Sequence, residues 1–531
     1  MAIRMTGMVS GLDTDSIVKE LVSAYSTKKE KYEKEQTKLG WKQEIWKSLN
    51  KEVNSFYKSV GNLRFDSGYN TKKTTSSDST KATVSASGNA TVGTQKLHVL
   101  STAQSGYLTG AEIKTAANEK VTTSTKLSDL GVTADEITFN VGPANNSASG
   151  TTKQIKVGKD STISDVVNQL KDAGLNANFD AGNRRFYLSS SDSGYATDFN
   201  ITADSSDTNS TTLLNALGLG KTAKKIDGSD AVIVLNGVKY TSTTNNFSIN
   251  GLSISVNAVT DSVDLSKAKT NGSLDADKIS DMLANTPLND SEAISITTST
   301  DTQGIYDKIK DFLTSYNNII NKMTKLYNAD SAKNYEPLTD DEKSQMSDSE
   351  VEKWETKIKD SLLRRDSNLS TIMNAMTTSM TKAISINGKN YSLSSFGIST
   401  LGYMNSAENE QNAYHIDGDE DDENTSGNKD KLMAALSSDP DTVIDFMKQL
   451  STNLYTAIDK QMQRNSLRSR YSIYNDKEMT SQYTSYTKTI AEWETKISDK
   501  EDYYYKKFSK METALSKLNS QTSSLSGMFS S

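Results

Sequence analysis

The sequence has no cysteine, which removes disulfides, thiolate metal sites and cysteine nucleophiles together without assigning a redox compartment. Four prolines and two histidines in 531 residues leave few rigid loops and few imidazoles for catalysis. No apolar run approaches the ~18 residues of a membrane-spanning helix. Residues Met1 to Gly11 carry one positive charge but lack the apolar stretch of about 7 to 15 residues that a secretory signal peptide needs. The expectation is a soluble, cytoplasmic chain unless another export route is used. There is no long basic block and net charge is -7, so a nucleic-acid partner has no electrostatic footprint.

Catalytic and metal-binding patterns are also thin. His98 lies in a strand-like run and His415 beside an acidic loop, and no Gly-x-Ser-x-Gly elbow accompanies them. Leu217-Gly218-Leu219-Gly220-Lys221-Thr222 ends like a phosphate-binding loop, but Asn215 stands where its first glycine is required. A turn after the helix of Leu213, Leu214 and Leu217 suits it better. The acidic run Asp417 to Glu423 has Asp422 where a calcium loop needs glycine and Asn428 where it needs glutamate, so a solvated, mobile loop is expected. No catalytic, cofactor-binding or metal residue is assigned, and the chain reads as a non-enzyme.

What is present is a seven-residue apolar repeat at both ends. Tyr483, Ile490, Ile497, Tyr504, Met511, Leu518 and Leu525 form one row, joined by Phe508, Leu515 and Phe529. Near the other end Val18, Tyr25, Tyr32, Leu39, Trp46, Val53 and Val60 recur at the same interval, with Leu21, Leu49, Phe56 and Leu63 in a second row. Sustained heptads predict coiled-coil helices whose stripes need a partner. Each would span about 50 residues, or roughly 70 Å at 1.5 Å per residue. Asp13 and Asp15 suit the start of the first helix, and Gly40 marks an expected hinge.

Between the ends the pattern changes. Ala82–Ala86, Gln95–Leu100, Ile137–Val141, Gln154–Val157, Asn176–Phe179, Arg185–Ser189 and Phe199–Ala203 alternate at period two, with a short Thr162-capped helix stopping near Gly174. Asn236-Gly237 and Asn250-Gly251 sit between alternating runs and predict hairpins, as does the segment from Ser385 to Tyr391. Helical periodicity returns at Thr302, continues in a block from Asp340 to Met380, and resumes at Asp439-Pro440. Nested this way, the terminal helices meet only if the β-rich domains are an insertion. The fold class is therefore α+β multidomain, a terminal α-helical coiled-coil stalk with inserted β-rich domains.

Particular residues also carry a resemblance. Ser10-Gly11-Leu12-Asp13-Thr14-Asp15-Ser16-Ile17-Val18-Lys19-Glu20-Leu21 resembles the opening signature of the bacterial flagellar hook-associated protein 2 family, the filament cap proteins. Tyr504 to Phe529 resembles that family's closing signature, Thr162 to Ile201 its flagellin-type insertion motif, Val234 to Val238 with Gly251 to Ile254 its recurring strand pair, and Asp439 to Val443 its helix start. The likeness spans essentially the whole chain. The acidic loop and the charged block at 340–360 match no family function and read as variable surface.

The resemblance implies an N-terminal leg helix (1–39), stalk-bundle parts (40–70 and 301–477), an inner β domain in two parts (71–105 and 228–300), an outer β-rich domain (106–227) and a C-terminal leg helix (478–531). It implies a structural cap at the filament tip, required for elongation, that retains exported flagellin and promotes its folding and polymerisation. The partners implied are the chain itself in a ring-shaped homo-oligomer, expected to be a pentamer, flagellin at the tip, and an export chaperone before secretion. Neither nucleic acid nor membrane is among them. The location implied is extracellular, reached through the flagellar export channel without a cleaved signal peptide, and the seam residues would dock on the filament. The alternative is a tip-located adhesin for host glycans or mucus, a role that can coexist with capping.

Overall fold

The computed structural model describes residues 9–115, 120–144, 151–261, 263–270, 273–274, 276–285 and 288–529. The chain divides into two compact units, Met1–Tyr69 with Thr302–Ser531, and Asn70–Asp301. The fold is α+β and multidomain, with the β-rich unit inserted in the chain between the two parts of the helical one.

The N-terminal helix, Thr14–Asn62, starts where the Asp13 side chain accepts the Ser16 N–H at 3.1 Å. It runs unbroken through Gly40, contrary to the expected hinge. A Cβ at Gly61 would lie a tight 3.3 Å from the Tyr455 ring, whereas one at Gly40 would lie 3.7 Å from the Tyr483 ring, an ordinary contact. The C-terminal half of this helix is the core of the unit. Trp46, Leu49, Val53, Phe56 and Val60 are buried with Ile309 and Tyr316 of helix Thr302–Asn328, Met376 of Ser367–Met380, and Phe446 and Leu450 of Pro440–Gln461. Burial of such side chains contributes about 1.5 to 3 kcal/mol each before ordering costs, which is why this half is held inside a bundle.

Two expectations about this unit are corrected. The single helical block at 340–380 is three helices, Asp340–Ser344, Asp348–Ser361 and Ser367–Met380. Thr339 with Glu342 and Ser347 with Glu350 form capping boxes that restart the chain as helix twice. The acidic loop is built into the fold rather than solvated and mobile. Lys310 Nζ lies 2.6 Å from both Asp419 Oδ1 and Asp421 Oδ2, His415 Nδ1 is 2.6 Å from Asp422 Oδ2, and the Thr425 hydroxyl donates to the Ile416 carbonyl at 2.7 Å. Burial works to lower the Lys310 pKa, and the Asp419 and Asp421 hydrogen bonds outweigh it, holding the ammonium above its ordinary range.

The inserted unit is antiparallel throughout. Its largest sheet runs in the order Lys72–Ser76, Ile294–Thr300, Gly93–Ser101, Ala231–Leu235, Val238–Ser242. Ala231–Leu235 is buried at every position because Ala231, Ile233 and Leu235 face one core and Val232 and Val234 another. A separate core holds two further sheets and the helices Ile163–Asp172 and Ser210–Ala216, with Phe139, Phe186, Leu188, Leu170 and Leu213 among its buried members. Asn236-Gly237, Asn250-Gly251 and Asn387-Gly388, the last in the helical unit, each put both residues at positive φ, the requirement of a two-residue type I′ hairpin. The phosphate-loop lookalike is a turn. Gly218 has φ +66°, and a Cβ at Gly220 would collide with the Asn215 side chain.

Candidate functional site

The C-terminal helix, Asp476–Phe529, lies along the N-terminal helix, and their cross-contacts fix an antiparallel register. Trp46 stacks on Tyr474 with ring centroids 5.3 Å apart. Gly40 then faces Tyr483, Gln36 Nε2 donates to Thr487 Oγ1 at 2.7 Å, and the Tyr32 and Tyr486 rings lie 6.3 Å apart. Lys29 Nζ is 3.7 Å from Glu494 Oε1, and Tyr25 meets Trp493 at 6.4 Å. At the far end the Tyr505 hydroxyl lies 2.8 Å from Asp15 Oδ1, and Glu512 accepts the Val9 N–H at 2.8 Å and the Ser10 hydroxyl. One helix ascends as the other descends, with no slip. Residues beyond 512 therefore run on past the level of Val9.

Burial along the pair is graded. Trp46 and Val53 are buried in the bundle and Val18 near the other end, whereas Tyr25, Tyr32 and Leu39 are half-exposed. On the C-terminal helix Ile490, Ile497, Tyr504, Phe508, Met511 and Leu515 are half-exposed, and Leu518 and Leu525 are 58% and 55% exposed. The side chain of Phe529 lies outside the described residues. Two helices side by side cover only part of each other's circumference, so heptad residues away from the shared line stay open.

The structure also adds members that the row at Tyr483 and Ile490 omits. Tyr486 and Trp493 make the ring contacts to the N-terminal helix, each three residues on in the same heptad. The signal was present as i, i+3 spacing, and it is obscured because the row continues through Lys500 and Lys507. Glu512 was not singled out either. Its carboxyl is held below the usual glutamate range by the Ser10 hydroxyl, then by the Val9 N–H, so one carboxylate pins Val9 and Ser10 to the last helix.

A second set of contacts sits where the pair leaves the bundle. Lys34 Nζ is 3.6 Å from Glu336 Oε2 and from Glu342 Oε2, and Lys42 Nζ is 2.8 Å from Asp366 Oδ2. Lys359 Nζ lies 4.7 Å above the Trp41 ring. The charged block read as variable surface thus lies against the N-terminal helix.

Among the described residues no group of three or more His, Asp or Glu side chains could hold a metal. His98 pairs with Asp261 at 2.8 Å in the inserted unit, and His415 pairs with Asp422 in the helical one. No helix is long and apolar enough to cross a membrane among the residues described.

A family described as flagellar hook-associated protein 2, C-terminus, matches residues 228–520, more than half of the chain, and its N-terminus counterpart matches residues 10–106. A protein named flagellar hook-associated protein 2 from Halalkalibacterium halodurans is 22% identical over 581 aligned positions, taking in 99% of this chain and 100% of the relative. The crystal structure of domains D1-D2-D3 of the flagellar cap protein FliD from Escherichia coli is 17% identical, covers 77% of this chain and 94% of that one, and superposes with a TM-score of 0.44. Domains D2-D3 of the flagellar cap protein FliD from Serratia marcescens are 18% identical over 34% of this chain and 95% of that one, with a TM-score of 0.27.

Proposed function

The chain belongs to the flagellar hook-associated protein 2 family, and from that premise we propose that it forms a ring at the distal tip of the flagellar filament, where it retains exported flagellin and promotes its folding and insertion. Membership makes it a flagellar cap protein, active in flagellum assembly and motility, structural rather than enzymatic, and oligomeric on the filament. The finer reading is a pentameric ring whose leg helices, 1–39 and 478–531, dock on the filament, with bundle parts 40–70 and 301–477, inner β parts 71–105 and 228–300, and an outer part 106–227. The subunit travels through the flagellar export channel and is held by an export chaperone beforehand.

The observation that carries this reading is the open apolar stripe of the terminal pair. Leu518 and Leu525 are more than half exposed, and six further heptad residues of the last helix are half-exposed. Covering a row of this kind recovers on the order of 1 kcal/mol per half-buried side chain, offset by the cost of ordering the helices. A surface with that much unrealised burial supports a role in which the legs are completed by other subunits. Deleting the gene and counting filaments tests it. Unpolymerised flagellin in the medium with short or absent filaments is the expected result; filaments of normal length would sink capping and leave adhesion as the better reading.

A further inference from the structure

The charged block at 340–360, with the flanking residues Glu336 and Asp366, is not used by the capping reading, yet its contacts with the N-terminal helix fall on one short stretch. We propose that this block is an ionic collar that fixes the N-terminal helix against the bundle, and that releasing it lets this helix bend at Gly40 while the bundle stays folded.

The stretch it grips is Lys34 to Lys42, immediately outside the point where Trp46 enters the core. On one side of this stretch lies the C-terminal helix, through Gln36 with Thr487 and Gly40 with the Tyr483 ring. Lys34, Trp41 and Lys42 meet the collar through charged groups: two carboxylates on Lys34, one on Lys42 and an ammonium over Trp41. Glu355, which takes Lys343 at 2.9 Å and Lys359 at 3.2 Å, ties the two short collar helices together. Rooting is firmer than gripping. Ile358 and Leu363 are buried, Arg365 adopts φ +56° while its N–H donates to the Tyr327 carbonyl at 3.1 Å, and Asp366 both caps the next helix and holds Lys42. Such a block can loosen its charged contacts without losing its own seat.

Gly40 is the natural pivot. A helical glycine adds backbone freedom, and here it lies between the two gripping lysines. With the collar closed, the helix is continuous through it. The Lys34 pairs, whose Glu336 and Glu342 partners are about half exposed, weaken with salt; the Lys42–Asp366 pair, with Asp366 10% exposed, weakens less and buried apolar contacts do not, so the joint should respond to ionic strength and the bundle should not.

The absence of cysteine makes the test direct, since two introduced cysteines are the only labelling sites. Spin labels at Glu20→Cys and Lys58→Cys, in the full chain, flank Gly40 on exposed positions of one helix. A straight helix sets them roughly 57 Å apart at 1.5 Å per residue. Pulsed electron resonance at about 0.1 M salt should give one narrow distance distribution. Raising salt to about 1 M, which cuts the screening length from about 10 Å to about 3 Å, should broaden it roughly twofold toward shorter distances. Lys34→Glu with Lys42→Glu should do the same at low salt, and adding Glu336→Lys should recover part of the narrow form. Unchanged distributions at high salt and in the double variant overturn the proposal. Should that variant fail to fold, the salt series on the otherwise unaltered chain decides alone. The measurement needs no filament, so it stands or falls separately from capping.

Discussion

Leu518→Asp separates folding from assembly. Leu518 is 58% exposed and lies beyond the level of Val9, so in the isolated chain it has less than half of a leucine's burial to lose. That is at most about 1 kcal/mol, with a further ~0.5 kcal/mol from the poorer helix propensity of aspartate, both confined to the end of one helix. Thermal and denaturant unfolding of the purified chain should therefore match the parent within error. If the last helix docks through this stripe as proposed, the same change removes about 1.5 to 3 kcal/mol of leucine burial and puts an aspartate carboxylate into an apolar contact, at a further cost of a few kcal/mol. A combined loss of about 4 kcal/mol or more corresponds to roughly a thousandfold in docking affinity. Complementing a deletion strain with this variant, and measuring filament length together with flagellin shed into the medium, reads that loss. Normal filaments would refute the reasoning, as would a variant whose isolated bundle melts several degrees early. Leu518→Ala should fall between the two.

Three further outcomes follow from the same geometry. Trp46→Ala removes a ring that is 1% exposed and stacked on Tyr474, so the helical unit should lose about 3 to 5 kcal/mol in urea unfolding, while the transition of residues 70–301 keeps its midpoint. Glu512 has a folded pKa below its ordinary 4.5, so its contribution is present above that value and disappears as pH falls through the lower folded one; the protection factors of residues 9–20, exchange rates divided by the intrinsic rate at each pH, should drop on acidification in the parent and change less in Glu512→Gln. Gly40→Ala places its Cβ at ordinary contact distance from Tyr483 and should stabilise the helix by about 0.5 to 1 kcal/mol, seen as a higher midpoint for the helical unit and a stiffer joint at high salt.

The sequence legibly specified whatever is set by neighbours along the chain. The type I′ hairpins follow from Asn-Gly pairs because only residues tolerant of positive φ close a two-residue turn, and the starts of the helices at Thr14 and Pro440 follow from Asp13 and Asp439, whose carboxylates reach the free N–H groups. The heptads at both ends likewise announced two long helices with a stripe apiece. Only the tertiary structure decided which stripe members are covered. Val53 and Leu518 carry the same local pattern, yet one is at 0% exposure inside a bundle and the other stands in solvent, because burial depends on what the rest of the chain brings alongside. The polar strands Lys72–Ser76 and Ile294–Thr300 gain their place by pairing with each other across more than 200 residues, a contact that no local spacing encodes. So too with Lys34, Trp41 and Lys42: as letters they are a solvated helix face, and they become a gripped joint because a charged segment some 300 residues later folds back on them, an arrangement set by long-range Coulomb attraction and core packing together.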